Sequence, residues 1–305
     1  MRSSINIRVI NKQTASERLR AIFATRYKQS KKENMKNLIL VVFGFLVCIQ
    51  IQAQEGNYAD VNGVKIYYEI HGEGDPLVLL HGFTMSHDMW DWWIEDLTKD
   101  YKLILPDLRG HGNSTNPSNE FTHKKAAEDI YALLDILDID KFNAMGYSSG
   151  AMTLTHMAIM DTSRIQAMIL IGSASFFPEP CRNIQRTVSY ETIDEKWMNS
   201  LKRRHPRGES QIRSLITQFN KMADSYDDMN FTKPYLSTIK SSTLIIHGDR
   251  DAYFPVDIPV NSYKSIPSSY LWIVPNFGHS GIRTDSIWAD SFLKALNQFF
   301  TGEWN

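Results

Sequence analysis

Cysteine is nearly absent from this chain, which has two such residues among its 305. Cys48 lies in an apolar run near the amino terminus, and Cys181 stands alone in the rest of the chain. A lone thiol has no partner for an internal disulfide, so the sequence excludes a small disulfide-held scaffold. A chain of this length can instead bury a large apolar core.

The chain also lacks a strong excess of either charge, since its formal net charge is −1. Residues 1–54 contain ten Lys or Arg against two Asp or Glu, which leaves −9 for the remainder. So acidic a remainder offers no basic face, and we exclude nucleic acid as a partner. The remainder shows no internal repeat or low-complexity linker and has the composition of one globular domain.

No apolar run reaches the roughly 20 residues that a membrane-spanning helix needs. The longest, from Leu38 to Ile49, follows Lys36 and precedes the small residue Ala53. A short positive segment, an apolar segment and then a small residue are typical of an export signal. We therefore predict a signal peptide at residues 35–54, no stable membrane span after its removal, and a periplasmic or secreted mature protein.

Residues 1–34 are polar and basic and show no clear apolar periodicity. Because an export signal normally begins a chain, we interpret this segment as a non-native or disordered extension ahead of a start at Met35. A cytoplasmic tail ahead of an uncleaved anchor is the alternative interpretation. The mature domain would then cover residues 55–305.

Within residues 55–305, apolar runs alternate with helical patterns. PLVLLHG, YKLILPDL, FNAMGYS, IQAMILIGSA, SSTLIIHGD and SYLWIVP are typical of buried strands, while SHDMWDWWIEDLTKD and KKAAEDIYALLDIL are typical of helices. Buried strands separated by helices predict a parallel α/β sheet covered on both faces. Residues 176–240 interrupt the alternation with polar, helical patterns, which predict a helical insertion over the ends of the sheet.

The segment Gly146-Tyr147-Ser148-Ser149-Gly150 matches G-x-S-x-G at the point where a strand pattern becomes a helical one. In such a turn the serine hydroxyl is exposed at the edge of the sheet. Ligands bind at the carboxyl ends of parallel strands, and acidic or basic residues follow other strands of this chain too, notably Asp251 and His279. A serine becomes nucleophilic when an imidazole accepts its proton and a carboxylate orients that imidazole.

Five motifs give the chain, from about Tyr58 to Gln298, a specific resemblance to the α/β-hydrolase fold family: HGFTMS, DLRGHGNS, GYSSG, IIHGDRDAYFP and NFGHS. The resemblance implies a mostly parallel, twisted sheet flanked by helices, with a small helical cap. It also implies a catalytic set of Ser148, Asp251 and His279, with Asp249 as the alternative acid.

By the same resemblance, the backbone N–H groups of Phe83 and Ser149 would form the oxyanion hole. The resemblance assigns His81 and His111 to loop structure. Five other histidines are interpreted as surface or packing residues: His71, His87, His123, His156 and His205.

A serine at the turn argues against the family's haloalkane dehalogenases and epoxide hydrolases, which use an aspartate there. We predict a serine hydrolase that acts on a small-molecule carboxylic ester, or on a lactone or thioester, without cofactor or metal. Aromatic side chains near strand ends and the cap junction would form its acyl pocket: Phe83, Phe176, Phe177, Tyr253 and Phe254.

Two alternatives stay open. An aminopeptidase of the proline iminopeptidase type would need acidic cap residues for the amino terminus of its substrate, and the cap contains Glu191, Asp194 and Glu195. A ligand-binding protein that has kept the fold without its catalysis is the second alternative. The sequence gives no indication of an oligomeric state.

Overall fold

The computed structural model describes residues 56–304 and a few helical, exposed positions between residues 20 and 32, namely Arg20, Phe23, Ala24, Arg26, Tyr27, Lys28, Gln29, Lys31 and Lys32. The predicted signal peptide at residues 35–54, including Cys48, lies outside the described residues. The chain divides into an amino-terminal unit, Met1–Glu55, and a second unit, Gly56–Asn305, to which the following description refers. No helix in the described part of the chain has the length and apolar character needed to cross a membrane.

The second unit is built on an eight-stranded sheet with the order β1-β2-β4-β3-β5-β6-β7-β8. The six strands β4, β3, β5, β6, β7 and β8 are each parallel to their neighbours in this group, while β2 is antiparallel to both β1 and β4. This mostly parallel sheet confirms the predicted fold class. The strands are β1 (Asn57–Val61), β2 (Val64–His71), β3 (Asp75–Leu80), β4 (Tyr101–Pro106), β5 (Phe142–Tyr147), β6 (Ile165–Ile171), β7 (Ser242–Gly248) and β8 (Ser269–Val274).

A two-residue turn at Asn62 and Gly63 joins β1 to β2. Both residues have positive φ, at 46° and 77°, which suits the type I′ geometry of a tight hairpin. Asparagine and glycine tolerate this left-handed region better than other residues.

Helices cover both faces of the sheet. After a one-turn 3₁₀ helix (His87–Trp90), they are α1 (Asp91–Leu97), α2 (His123–Ile136), α3 (Ser149–Met160), α4 (Glu179–Thr187), α5 (Glu195–Arg204), α6 (Glu209–Met222), α7 (Lys233–Leu236), α8 (Asp257–Ser265) and α9 (Ala289–Thr301). Alternate residues of β3 enter different cores: Val78 and Leu80 pack with α2, α3 and α8, whereas Leu77 and Leu79 pack with α1 and α9. This two-residue period buries both faces of the strand.

The cap is the helical segment between β6 and β7, as the interrupted pattern at residues 176–240 predicts, and it contains α4 to α7. Leu201 of α5 packs with Ile212 and Ile216 of α6 in a small apolar cluster separate from the cores beside the sheet. The Asp194 side chain caps the amino terminus of α5, where it accepts a hydrogen bond from the N–H of Trp197.

Candidate active site

Ser148 occupies a strained turn between β5 and α3. Its φ of 51° and ψ of −118° lie in a region that residues with a side chain rarely adopt. The flanking glycines permit the turn, because a Cβ on Gly146 would lie 2.6 Å from the backbone N of Ala151, and one on Gly150 would lie 2.2 Å from the backbone O of Leu80. The close packing of α3 against the sheet thus presents Ser148 at the carboxyl ends of the strands.

His279 connects the hydroxyl of Ser148 to the carboxylate of Asp251. Its Nε2 lies 3.0 Å from Ser148 Oγ, and its Nδ1 lies 2.7 Å from Asp251 Oδ2. The other oxygen of Asp251 accepts the N–H groups of Tyr253 and Phe254, at 2.8 and 3.0 Å. The structure therefore brings together the three side chains that the resemblance implies, in the order needed for proton transfer from serine to imidazole.

The Asp251 side chain is almost completely buried, with 1% of its surface exposed. Burial alone would raise the pKa of this carboxyl group, but the hydrogen bond and the charge of His279 outweigh burial and lower the pKa below its ordinary value. Asp251 is consequently an anion at neutral pH and holds the proton of His279 on Nδ1.

Asp249, the alternative acid, points elsewhere. Its Oδ1 accepts the backbone N–H of Phe277 at 3.2 Å, and its Oδ2 lies 3.8 Å from Nε of Arg250. The structure brings Asp251, and not Asp249, to His279.

The loop at Gly82 and Phe83 lies against Ser148. A Cβ placed on Gly82 would be 3.4 Å from the Cβ of Ser148, so the backbone of this loop is close to the nucleophile. The N–H of Phe83 has no hydrogen-bond acceptor among the described residues. Ser149 is the first residue of α3, where a helix N–H also lacks an intrahelical acceptor. Both groups are available to stabilise negative charge on a substrate oxygen.

A cavity of about 220 Å³ opens beside Ser148 and His279. Four of the predicted pocket residues line it: Phe83, Phe177, Tyr253 and Phe254. Its lining contains no Asp, Glu, Lys or Arg. The cavity thus suits an uncharged and largely apolar group.

Phe176, the remaining predicted pocket residue, lies outside this cavity, so that prediction is wrong. Its side chain is 41% exposed, whereas that of Phe177 is 4% exposed. Phe176 forms a β-bridge with Asn230, and consecutive residues of an extended segment point in opposite directions. When Phe177 enters the cavity, Phe176 must therefore face outward.

A family model of the alpha/beta hydrolase fold matches residues 75–201 of the chain. This match agrees with the sheet order and with the strained serine turn. The chain has the α/β-hydrolase fold.

Known hydrolases are similar to the chain over most of its length. A 2-hydroxy-6-oxo-6-(2'-aminophenyl)hexa-2,4-dienoic acid hydrolase of Metapseudomonas resinovorans is 22% identical over 73% of this chain and 83% of its own. A pimeloyl-(acyl-carrier protein) methyl ester esterase of Vibrio campbellii is 22% identical over 77% and 98%. The crystal structure of the enol-lactonase of Burkholderia xenovorans shares the fold, with a TM-score of 0.62, 23% identity, and coverage of 80% of this chain and 100% of that one. The chain is a hydrolase of this fold.

The cap of this α/β-hydrolase supplies cavity residues that the sequence analysis missed. Cys181 and Gln185 come from α4, Trp197 comes from α5, and Phe219 and Met222 come from α6. The four-residue spacing of Cys181 and Gln185 places them on one helix face, which was the available signal. Burial raises the pKa of the Cys181 thiol to about 12, so the thiol is neutral at physiological pH.

A second Ser-His-Asp arrangement lies next to the first. Ser149 Oγ is 2.8 Å from Nε2 of His123, and Nδ1 of His123 is 2.6 Å from Oδ2 of Asp228. Burial would raise the pKa of Asp228, but the charge and hydrogen bonds of His123 lower it to about 2. His123 is completely buried, and this arrangement connects the turn after the nucleophile to the loop between α6 and α7 of the cap. Sequence alone gives no sign of it, because His123 and Asp228 are 105 residues apart.

Buried polar contacts attach the cap to the loops after β3 and β4. His205 Nδ1 accepts the N–H of Gly112, and its Nε2 donates to the carbonyl of Thr84, both at 3.1 Å. The side-chain amide of Gln211 donates to the carbonyls of Gly110 and Gly112 at 2.8 Å. Burial lowers the pKa of His205 to about 4, so it is neutral at physiological pH.

The described residues contain no group of three or more His, Cys, Asp or Glu side chains that could hold a metal ion.

Proposed function

We propose that this hydrolase cleaves a carboxylic ester, or a related lactone or thioester, through an acyl-enzyme formed on Ser148. The observation that carries the proposal is the continuous set of contacts from Ser148 Oγ to His279 at 3.0 Å and from His279 to Asp251 at 2.7 Å, beside an uncharged cavity. The esterase and lactonase names among its relatives support the same reaction class.

In the proposed reaction, His279 Nε2 accepts the proton of Ser148 while Oγ attacks the carbonyl carbon of the substrate. The backbone N–H groups of Phe83 and Ser149 stabilise the oxyanion that forms. His279 then gives its proton to the leaving alcohol, and the acyl group remains on Ser148. Water, activated by the same imidazole, attacks the acyl-enzyme, releases the acid and restores the hydroxyl of Ser148.

The contacts of the acidic cap residues do not favour the aminopeptidase alternative. Glu191 forms an ion pair with Arg213 at 2.7 Å. Asp194 caps the amino terminus of α5, and Glu195 is exposed in the first turn of that helix. None of the three lines the cavity, so they provide no negative charge there for the amino terminus of a peptide.

The decisive test compares Ser148→Ala with Ser149→Ala. Purified protein from Gln54 onward would be assayed on p-nitrophenyl esters of graded chain length and on aminoacyl anilides. Ser148→Ala should lose on the order of 10⁴-fold or more in kcat, and a serine-directed phosphonate should label Ser148. Ser149→Ala keeps the backbone N–H and should remain within a few-fold of the wild type.

Retained ester hydrolysis in Ser148→Ala would overturn the proposed nucleophile. Absence of turnover of either substrate class by the wild type would favour a ligand-binding protein with an idle triad. Preference for the anilides would favour the aminopeptidase alternative.

We also propose export to the periplasm or beyond, because the apolar run from Leu38 to Ile49 has the length of a signal peptide and not of a membrane span. The test is cell fractionation followed by N-terminal sequencing of the recovered protein. A terminus near residue 54 on the far side of the membrane is expected. An intact Met1 on a cytoplasmic or membrane-bound species would refute the proposal.

A further inference from the structure

The loop that carries Phe83 contains a strained residue. Thr84 has a φ of 61°, in the left-handed region that a β-branched side chain strongly disfavours. Within the described residues, the other positive φ values of residues with a side chain belong to Asn62, Asn119, Asp138, Ser148 and Asn276. Four of these are Asn or Asp, which tolerate the region, and the fifth is the proposed nucleophile. Surrounding contacts must therefore hold Thr84 in this conformation.

Two histidines contact the turn formed by residues 82–85. The N–H of Met85 donates to the carbonyl of Gly82 at 3.1 Å, which places Thr84 at the third position of the turn. With positive φ, this is a position that glycine normally occupies. His81 Nδ1 lies 2.8 Å from the carbonyl of Gly82, and His205 Nε2 lies 3.1 Å from the carbonyl of Thr84. The hydrogen bond to the strained residue itself thus comes from His205, at the end of cap helix α5.

The hydrogen bonds of His205 fix which of its nitrogens carries the proton. Its Nδ1 lies 3.1 Å from the backbone N of Gly112, whose N–H can only donate, so Nδ1 is the acceptor. The proton of the neutral ring is then on Nε2, which donates to the carbonyl of Thr84. His205 is completely buried and does not line the cavity beside Ser148. Its effect on the reaction must therefore pass through the loop.

The same turn carries the N–H of Phe83, which stabilises the substrate oxyanion in the proposed reaction. Thr84 follows Phe83 directly, and both line the cavity together with Ser148. A donor of an oxyanion hole must lie about 2.7–3.1 Å from the oxyanion, and a displacement of about 1 Å can cost on the order of 10²-fold in rate. If Thr84 relaxed to a negative φ, the loop would take a different path beside this donor.

We infer that His205 is a positioning residue of the oxyanion hole: its hydrogen bond to the carbonyl of Thr84 keeps the turn in the strained form that directs the N–H of Phe83 at the substrate oxygen. The inference rests on the proposed function and adds to it a residue that touches neither the substrate nor the reacting atoms. Through His205, the cap supports the chemical step as well as the wall of the cavity.

The experiment measures kcat and KM on p-nitrophenyl butyrate and the rate at which a p-nitrophenyl phosphonate labels Ser148. His205→Leu keeps nearly the volume of the side chain and removes its hydrogen bonds, so kcat and the labelling rate should each fall by about 10- to 100-fold. KM should stay within about threefold, because the N–H of Phe83 acts on the transition state. His205→Gln extends an amide donor to about the position of Nε2 and should recover most of the loss.

Two comparisons distinguish this role from general attachment of the cap. Gln211→Met removes the hydrogen bonds of Gln211 to the carbonyls of Gly110 and Gly112, which also attach the cap but do not involve the turn, and it should keep kcat within about threefold. Glycine adopts positive φ without strain. In a Thr84→Gly background, therefore, the change His205→Leu should lower kcat by about threefold at most, a coupling that a merely structural role would not produce.

The outcomes separate this inference from the proposed function. The inference is overturned, while the proposed function stands, if His205→Leu lowers kcat no more than Gln211→Met does, if its loss appears in KM instead, or if the loss is as large with glycine at position 84. If the wild type hydrolyses no ester, the proposed function fails and the labelling rates alone decide the inference. A wild type that is neither active nor labelled overturns both.

Urea unfolding establishes that each variant is folded. If His205→Leu does not fold, His205→Asn takes its place with the same expectations, because its shorter side chain can accept from Gly112 but does not reach Thr84.

Discussion

The replacement of Asp251 by asparagine tests the geometry of the proposed catalytic set most directly. Asp251 accepts three hydrogen bonds, one from His279 and two from the backbone N–H groups of Tyr253 and Phe254. The Oδ1 of an asparagine could still accept the two backbone donors. Its Nδ2 would then face His279 and, being a donor, would require Nδ1 of His279 to act as the acceptor. The imidazole proton would move to Nε2, which could no longer accept the proton of Ser148.

The expected loss in kcat for Asp251→Asn is on the order of 10⁴-fold, as for the equivalent change in the Ser-His-Asp protease template. This factor corresponds to about 5 kcal/mol of transition-state stabilisation. The loss in the free energy of unfolding should be smaller, about 1–3 kcal/mol, because one charged hydrogen bond is lost and two backbone contacts remain.

The effect of Asp251→Asn on stability also has a defined pH dependence. The folded-state pKa of Asp251 is below its ordinary value, so the carboxylate stabilises the fold above its unfolded pKa of about 4, and this contribution is lost as the pH falls through the folded pKa. The difference in unfolding free energy between wild type and Asp251→Asn should thus be largest near neutral pH and shrink in acid.

The assay combines p-nitrophenyl ester hydrolysis with urea unfolding for Asp251→Asn and for Asp249→Asn as the control. Asp249 accepts the N–H of Phe277 and does not contact His279, so its amide variant should retain kcat within about tenfold. A larger loss of kcat in Asp249→Asn than in Asp251→Asn would refute the assignment of Asp251 as the orienting carboxylate. If Asp251→Asn were unfolded at neutral pH, this would also contradict the assignment, because the residue would then have a mainly structural role.

Three further predictions concern the cap and its contacts. Because burial lowers the pKa of His205 to about 4, the unfolded chain binds a proton at this residue more readily than the folded one, and the unfolding free energy should fall by up to about 3 kcal/mol between about pH 6.5 and pH 4. Urea unfolding at each pH measures this fall, and it should be smaller in His205→Gln. Phe177→Leu enlarges the cavity and should raise kcat/KM for longer acyl groups relative to shorter ones by about tenfold. Phe176→Leu, at an outward-facing position, should leave this ratio unchanged. His123→Gln should cost about 3 kcal/mol of unfolding free energy by removing the partner of the buried Asp228 carboxylate, yet change kcat only a few-fold; a loss as large as that of Ser148→Ala would instead give this arrangement a part in catalysis.

Local patterns in the sequence predicted the parts of the fold that local chemistry determines. The buried strands and the helical insertion each follow from residue type and periodicity within a short window. These features are local enough that no knowledge of the three-dimensional arrangement was needed. The resemblance to the α/β hydrolases favoured Asp251 over Asp249, and the structure places Asp251 beside His279.

The features that the sequence did not predict depend on contacts between distant segments. The pairing of His123 with Asp228 joins residues 105 positions apart, and neither residue carries a motif. Phe176 and Phe177 are the same residue type in adjacent positions, so composition could not tell which of them enters the cavity. The four-residue spacing puts Cys181 and Gln185 on one face of α4, but it does not specify that this face lies over Ser148.

The division of the site between core and cap has a functional consequence. Ser148, Asp251 and His279 follow strands of the sheet, whose two buried cores hold their positions to each other. The cap has its own small apolar cluster, meets the loops after β3 and β4 through the hydrogen bonds of His205, and adds Phe177, Cys181 and Met222 to one of the two cores. No cap residue supplies a reacting group, so substitutions on its inner face that keep the size of the side chain change the wall of the cavity while the strands hold the reacting groups in place. We expect them to change KM and the preference among substrates more than the chemical step itself.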